Sequence, residues 1–162
     1  MQRYIILVDI LVERVYGVAE PSIDRKDVSM SNTWKYKIEI RNEKIFNEIG
    51  EARGICFPEE LKQFILANNA ATPMKYKFML GVTEKVLGAV LSYNKGEEDV
   101  DTVFSALNLI EDTNLIPFAI DPFGNYICYA VEQSEVVFWE HEKNVVISTG
   151  KTLQNFIEEL YQ

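Results

Sequence analysis

Ile116-Pro117-Phe118-Ala119-Ile120-Asp121-Pro122-Phe123-Gly124-Asn125-Tyr126-Ile127-Cys128 sets the frame for the whole chain. Two strand-forming runs, Ile116 to Ile120 and Tyr126 to Val131, flank five residues suited to a tight reversal, so the segment reads as a β-hairpin. Pro122 fixes φ, Gly124 accepts a positive φ, and the side chains of Asp121 and Asn125 can bond nearby amides. Turn formation therefore accounts for Asp121 without a catalytic role. Phe123, at the tip, is left as an exposed candidate for contact with a partner.

Outward from this hairpin the chain continues in strands. Val136 to Glu140 and Val145 to Ile147 are short and strand-like, and a closing helix carries Leu153, Phe156, Ile157 and Leu160. Upstream, Tyr76 to Val82 and Lys85 to Tyr93 are aromatic and aliphatic runs bounded by turn formers, which predicts two more strands. Gly96, Glu97, Glu98 and Asp99 then lead into Val100, Val103, Phe104, Leu107 and Ile110, spaced as an amphipathic helix with carboxylates at the positive end of its dipole.

Further back, Ile45, Phe46 and Ile49 predict a short helix over Glu43 to Arg53, closed by Gly54 as a left-handed cap. Pro58 suits a first helical position, Leu61, Phe64 and Ile65 form the apolar stripe of that helix, and Asn68 and Asn69 stop it. Trp34, Tyr36, Ile38 and Ile40 alternate with charged residues up to Arg41, the period of a half-exposed strand. Tyr4 to Val15 repeats its apolar residues at helical spacing, although its valine and isoleucine content would also suit a buried strand. Residues 1–33 read as an N-terminal extension and loop packed on a domain of residues 34–162.

Helices first, turn-linked strands next and a helix last, without alternating βα units, predict an α+β single domain. Its mainly antiparallel central sheet should have about five to seven strands, with helices before, within and after it. At 162 residues one core is the expectation.

A formal charge of −9 argues against a protein that grips nucleic acid through phosphates, since such contacts need a lysine and arginine surface. A basic protein partner fits better. The apolar opening from Tyr4 to Val8 is broken by Asp9, Glu13 and Arg14, too short for a signal segment or a membrane span. Cys56 and Cys128 both sit in apolar surroundings and read as small buried hydrophobes, so a reducing cytoplasm is expected.

No chemistry-bearing motif is complete. His141 lies between Glu140 and Glu142, but alternating strand side chains point to opposite faces, so no metal site is expected. Ser148-Thr149-Gly150-Lys151-Thr152 imitates the end of a phosphate-binding loop without its first glycine; Gly150 as a turn and Thr152 as a helix cap serve better. Neither a cofactor nor a catalytic group is predicted, and an enzyme of unrecognised type is the remote alternative.

Three segments together resemble the SUKH superfamily, which includes a yeast cell-wall assembly regulator and many bacterial immunity proteins. Ile55-Cys56-Phe57-Pro58-Glu59-Glu60-Leu61, Phe64 and Asn68-Asn69 are similar to the family's leucine-proline lead-in to a helix, with Asn69-Ala70-Ala71 where asparagine and two glycines are common. The hairpin of Ile116 to Cys128 is the second segment. The third is Val137-Phe138-Trp139-Glu140-His141-Glu142 followed by Thr152-Leu153-Gln154-Asn155-Phe156-Ile157, like the family's tryptophan-rich strand and closing helix. The resemblance runs from about Glu43 to Gln162.

It implies a non-catalytic protein-binding domain, with an immunity protein neutralising a toxin, for instance a nuclease, as the leading expectation and a regulatory interaction module as the alternative. The candidate contact residues are Glu97, Glu98, Asp99 and Asp101, then Glu132, Glu135, Glu140 and Glu142, together with Phe123. The expected partner is a protein, a basic toxin domain being one class, and the chain itself a monomer or weak homodimer, with no nucleic acid or membrane bound.

Overall fold

Strands β6 (Leu115–Ile120) and β7 (Tyr126–Ala130) form the expected hairpin in a computed structural model that describes residues 31–162. Of these, Thr33–Gln162 make one compact unit. The helical reading of Tyr4 to Val15, and the packing of that extension, lie outside the described residues.

The hairpin sits inside a five-stranded antiparallel sheet ordered β5-β6-β7-β8-β9, where β5 is Ala89–Val90, β8 Glu135–Glu140 and β9 Val145–Lys151. Tyr126 to Ala130 and Val136 to Trp139 are buried without a break, because both faces of these strands are covered. On one face Phe138 lies 6.3 Å from Phe78, and Phe78 lies 5.0 Å from Phe156. On the other, Tyr126 stands opposite Trp139 with ring centroids 6.0 Å apart.

The helices fall close to their predicted places. Helix α1 (Lys44–Arg53) buries Ile45, Phe46 and Ile49 and ends at Gly54 with φ of 71°, a conformation that glycine adopts without strain. Helix α2 (Glu59–Asn68) follows Pro58, which stands one position before it, and buries Leu61 and Ile65. Helix α4 (Leu153–Glu158) opens with the Thr152 hydroxyl accepting from the Asn155 amide at 3.2 Å, as expected.

Helix α3 is shorter than its apolar spacing suggested. It spans Val103–Leu109 and has no acidic residue in its first turn. The chain from Asn94 to Thr102 is instead held by ladder-like bonds, with Ser92 donating to the Asp101 carbonyl and Val103 to the Ser92 carbonyl, both 2.9 Å. These bonds use up the backbone groups that a longer helix would need.

The predicted strand over Trp34 to Arg41 is also cut short. Only β1 (Trp34–Lys35) pairs, with β2 (Thr72–Pro73), because Tyr36 takes φ of 65° and turns the chain away. Beyond it two asparagine side chains replace a neighbouring strand. The Asn69 Nδ2 donates to the Ile38 carbonyl at 2.9 Å, while Asn94 accepts from the Arg41 amide and donates to the Glu39 carbonyl, each at 2.9 Å.

The run Lys85 to Tyr93 divides in the same way. Strands β3 (Lys77–Leu80) and β4 (Thr83–Val86) form a separate hairpin, and only Ala89–Val90 joins the main sheet. Ser148 to Lys151 extend β9 and are not a loop, with Gly150 at φ of 72° in a bulge where Val136 faces Lys151 and Val137 faces Ser148. Cys128 is buried as read, but Cys56 is exposed, lying on the connection between α1 and α2.

Among the described residues Tyr36, Ala70, Ser134 and Asn144 take a positive φ without being glycine. Ala70 has φ of 63° and its methyl is buried, so lost packing would offset the relief in an Ala70→Gly variant. Tyr36 has no such compensation, being 78 % exposed. Tyr36→Asn should therefore stabilise the fold by about 0.5–1 kcal/mol, read as a raised urea midpoint. An unchanged or lower midpoint would count against strain at that position.

Candidate functional site

The first acidic group lies on the loop before α3. Glu97 is tied to Arg41 at 2.8 Å, and the same guanidinium donates to the Lys95 carbonyl at 2.9 Å. Lys95 in turn reaches Glu48 at 3.1 Å. Glu98, Asp99 and Asp101 remain exposed to solvent. Three of the four predicted carboxylates therefore project from a loop whose backbone is fixed by the bonds to Ser92 and Val103.

The second group is divided by the fold. Glu135 opens β8 and Glu140 closes it, so the residue steps between them, at about 3.3 Å each, hold them on the order of 17 Å apart. Their odd spacing also turns them to opposite faces. Glu132 stays with Glu135, and Glu142 with Glu140, so these four do not form one surface.

At the Glu135 end a site is assembled that the sequence did not reveal. The β6–β7 register sets Leu115 against Ala130, which brings the segment before β6 beside the turn after β7. Asn114 bridges them, donating to Gln133 Oε1 at 2.8 Å while its own Oδ1 accepts from the Glu132 amide at 2.8 Å. Asp112 accepts from the Asn114 amide at 2.9 Å, and Glu135 accepts from the Ser148 hydroxyl at 2.6 Å. A cleft of about 280 Å³ opens between them, with Leu115, Val137 and Val146 as its apolar floor.

Arg53 buttresses this corner. Its guanidinium donates to the Ile110 carbonyl at 2.7 Å, which the end of α3 leaves open, and to the Asp112 carbonyl at 2.6 Å, which also accepts from the Leu115 amide. Burial lowers its pKa, against the raising influence of the Asp112 charge nearby. An arginine in the last turn of α1 suggests a cap on that helix, and the fold instead directs it to the end of α3.

At the opposite end Phe123 stands 78 % exposed at the hairpin tip. Below it, buried Asp121 accepts from the amides of Phe123 at 2.9 Å and Asn125 at 2.8 Å and from Asn125 Nδ2 at 3.0 Å. Exposed His141 joins this latch through Asn125 Oδ1, 2.9 Å from its Nδ1. The turn reading of Asp121 holds, and His141 is engaged as part of it.

The buried titratable groups also serve the fold. The Tyr93 hydroxyl donates to the Pro117 carbonyl at 2.6 Å, and Tyr129 bonds to Glu60. Burial raises the pKa of Tyr93, Tyr126 and Cys128, and burial with the bond to Glu60 pushes Tyr129 up to about 12. Each is held neutral in the fold, so the stability they contribute is fully present below the ordinary pKa values of about 8.5 to 10 and is lost as pH rises beyond them. Urea midpoints should therefore be flat with respect to these groups up to about pH 8 and fall above it, with tyrosinate absorbance rising in step with unfolding. Ordinary tyrosine titration without loss of stability would contradict this.

Among the described residues no helix is long and apolar enough to cross a membrane. A protein-family model described as SUKH_6: SMI1-KNR4 cell-wall matches residues 43–157, from the lead-in to α1 to near the end of α4. No curated protein matches the chain.

Proposed function

This chain belongs to the SUKH_6, SMI1-KNR4 cell-wall family, whose members are in general non-enzymatic interaction domains, and on that premise we propose that it is an immunity protein. It would bind a toxin and hold it inactive inside the producing bacterial cell. The observation that carries this reading is where the polar groups are employed. The buried ones, Asn69, Ser92, Asn94, Asp121 and Asn125, all bond within the chain, while most of the predicted carboxylates face solvent. Recognition through an acidic outer surface, by a chain of net charge −9, suits a basic protein partner.

The test is growth. Co-expression with the toxic protein encoded beside it should restore growth, and failure to do so with both proteins present would refute the immunity role. The cell-wall description of the family favours a second reading, a regulatory interaction module; that reading predicts an endogenous binding partner and no rescue.

Charge should act on the rate of encounter. Reversing Glu98, Asp99 and Asp101 together to lysine is expected to slow association with a basic partner about tenfold at low salt and to flatten its salt dependence. Stopped-flow traces that superimpose on those of the parent protein would dismiss electrostatic steering by this loop.

A further inference from the structure

We propose that the open edge of β9 receives an extended segment of a basic protein, one of whose lysine or arginine side chains enters the cleft between Asp112 and Glu135. The inference rests on the protein-binding reading and names the surface and the partner's chemistry. Two separate observations meet there.

The first is an unguarded strand edge. β9 is terminal in its sheet among the described residues; β3 and α4 pack against it, yet Val145, Val146 and Ile147 are 38, 47 and 38 % exposed. Folded proteins blunt such edges with bulges, lysines or prolines, because an unpaired row of amides and carbonyls invites another chain. In β9 these devices are confined to the second half, where the bulge at Gly150 and Lys151 lie. Val145 to Ser148 have neither.

The second is the cleft itself. Val146 and Ser148, two residues apart on β9, both line it, so a strand added beyond β9 would place alternate side chains along the same face. Asp112 and Glu135 supply two carboxylates over the apolar floor, and no cationic side chain lines the space. A long basic side chain matches both parts, its stem lying across Val146 and its head meeting the carboxylates. A second copy of this chain matches less well. Its own β9 offers one cation, Lys151, which lies beyond the bulge and is paired with Glu159 at 2.5 Å.

The experiment is NMR titration of the full chain at low salt with a short synthetic peptide of alternating lysine and threonine. Shifts should concentrate at Val145 to Ser148 and Glu135, with slowed exchange of the β9 amides. Glu135→Gln should weaken binding about tenfold, the loss of one charge-assisted bond. Glu51→Gln, exposed on α1 and outside both acidic groups, should leave binding unchanged, and a glutamate–threonine peptide should not bind. Shifts centred on Glu97 to Asp101, equal binding of the acidic peptide, no binding at all, or β9 protection that grows with protein concentration alone would each overturn the proposal. None of these results bears on growth rescue, which tests the underlying immunity reading separately.

Discussion

Phe138→Ala is expected to cost about 3–5 kcal/mol, a large share of the stability of a domain of this size. Phe138 is 1 % exposed on β8, the strand that joins the central hairpin to the edge. Its ring meets Phe78 of the β3–β4 hairpin at 6.3 Å, and the Lys85 ammonium stands 5.0 Å from its centroid. Removing it opens a cavity where three structural units converge: the sheet, the small hairpin and, through Phe78, helix α4. The neighbours are themselves ring systems fixed on separate elements, so collapse around the void is restricted. Phe123→Ala, at the exposed hairpin tip, should change stability by less than about 0.5 kcal/mol. Urea denaturation of both variants checks this, and a loss below about 1 kcal/mol for Phe138→Ala would contradict the packing described.

Asn69→Ala should cost about 2–4 kcal/mol although it removes only a small side chain. Asn69 is 1 % exposed, accepts from the Tyr93 amide at 2.8 Å, and donates to the Ile38 carbonyl at 2.9 Å and the Ser92 hydroxyl at 3.3 Å. Its carboxamide thus stitches together two segments that lack a strand partner at that point. Alanine would leave the Tyr93 amide and the Ile38 carbonyl without those bonds, the costly direction of the hydrogen-bond asymmetry. Asn68→Ala supplies the contrast. That side chain donates only to Phe64 one turn back, at 3.2 Å, and its loss should be within about 0.5 kcal/mol. Equal midpoints for the two variants would show that Asn69 is no more than a helix stop.

The pair of asparagines illustrates what could be read in the sequence. Their place at the end of α2 was legible, because helix-stopping is a local property of a short polar side chain. What Asn69 bonds to was not, since Ile38, Ser92 and Tyr93 reach it only through the tertiary fold. The central hairpin was legible for the converse reason, its turn chemistry and its apolar runs agreeing at every position. The misread segments are those where local signals conflict. Ser148-Thr149-Gly150-Lys151 has loop composition, yet Thr149 Oγ1 bonds to the Val136 carbonyl at 2.6 Å and Ser148 to Glu135, holding the segment against β8. Trp34 to Arg41 has perfect alternation, yet Tyr36 breaks it with a positive φ that no pattern announces.

The candidate surface follows the same rule. That Glu135 and Glu140 belong to different ends and faces follows from the strand reading alone, by counting alternation along β8. That Asp112 and Asn114 join Glu135 requires the β6–β7 register, which brings together residues about twenty positions apart. Glu97 looked like part of a free acidic run, but Arg41, far earlier in the chain, neutralises it. The exposed edge at Val145 to Ile147 was missed because those residues read as an ordinary strand, and sequence does not tell a central strand from a terminal one.

On the proposed immunity reading, the most direct measurement is a titration of the purified full chain against the purified product of a neighbouring gene that proves toxic on expression, following that toxin's residual activity. A loss of activity that is complete at one chain per toxin molecule, with a complex of that stoichiometry, is the predicted result. Undiminished activity at a large excess of the chain, with no complex formed, would contradict the account.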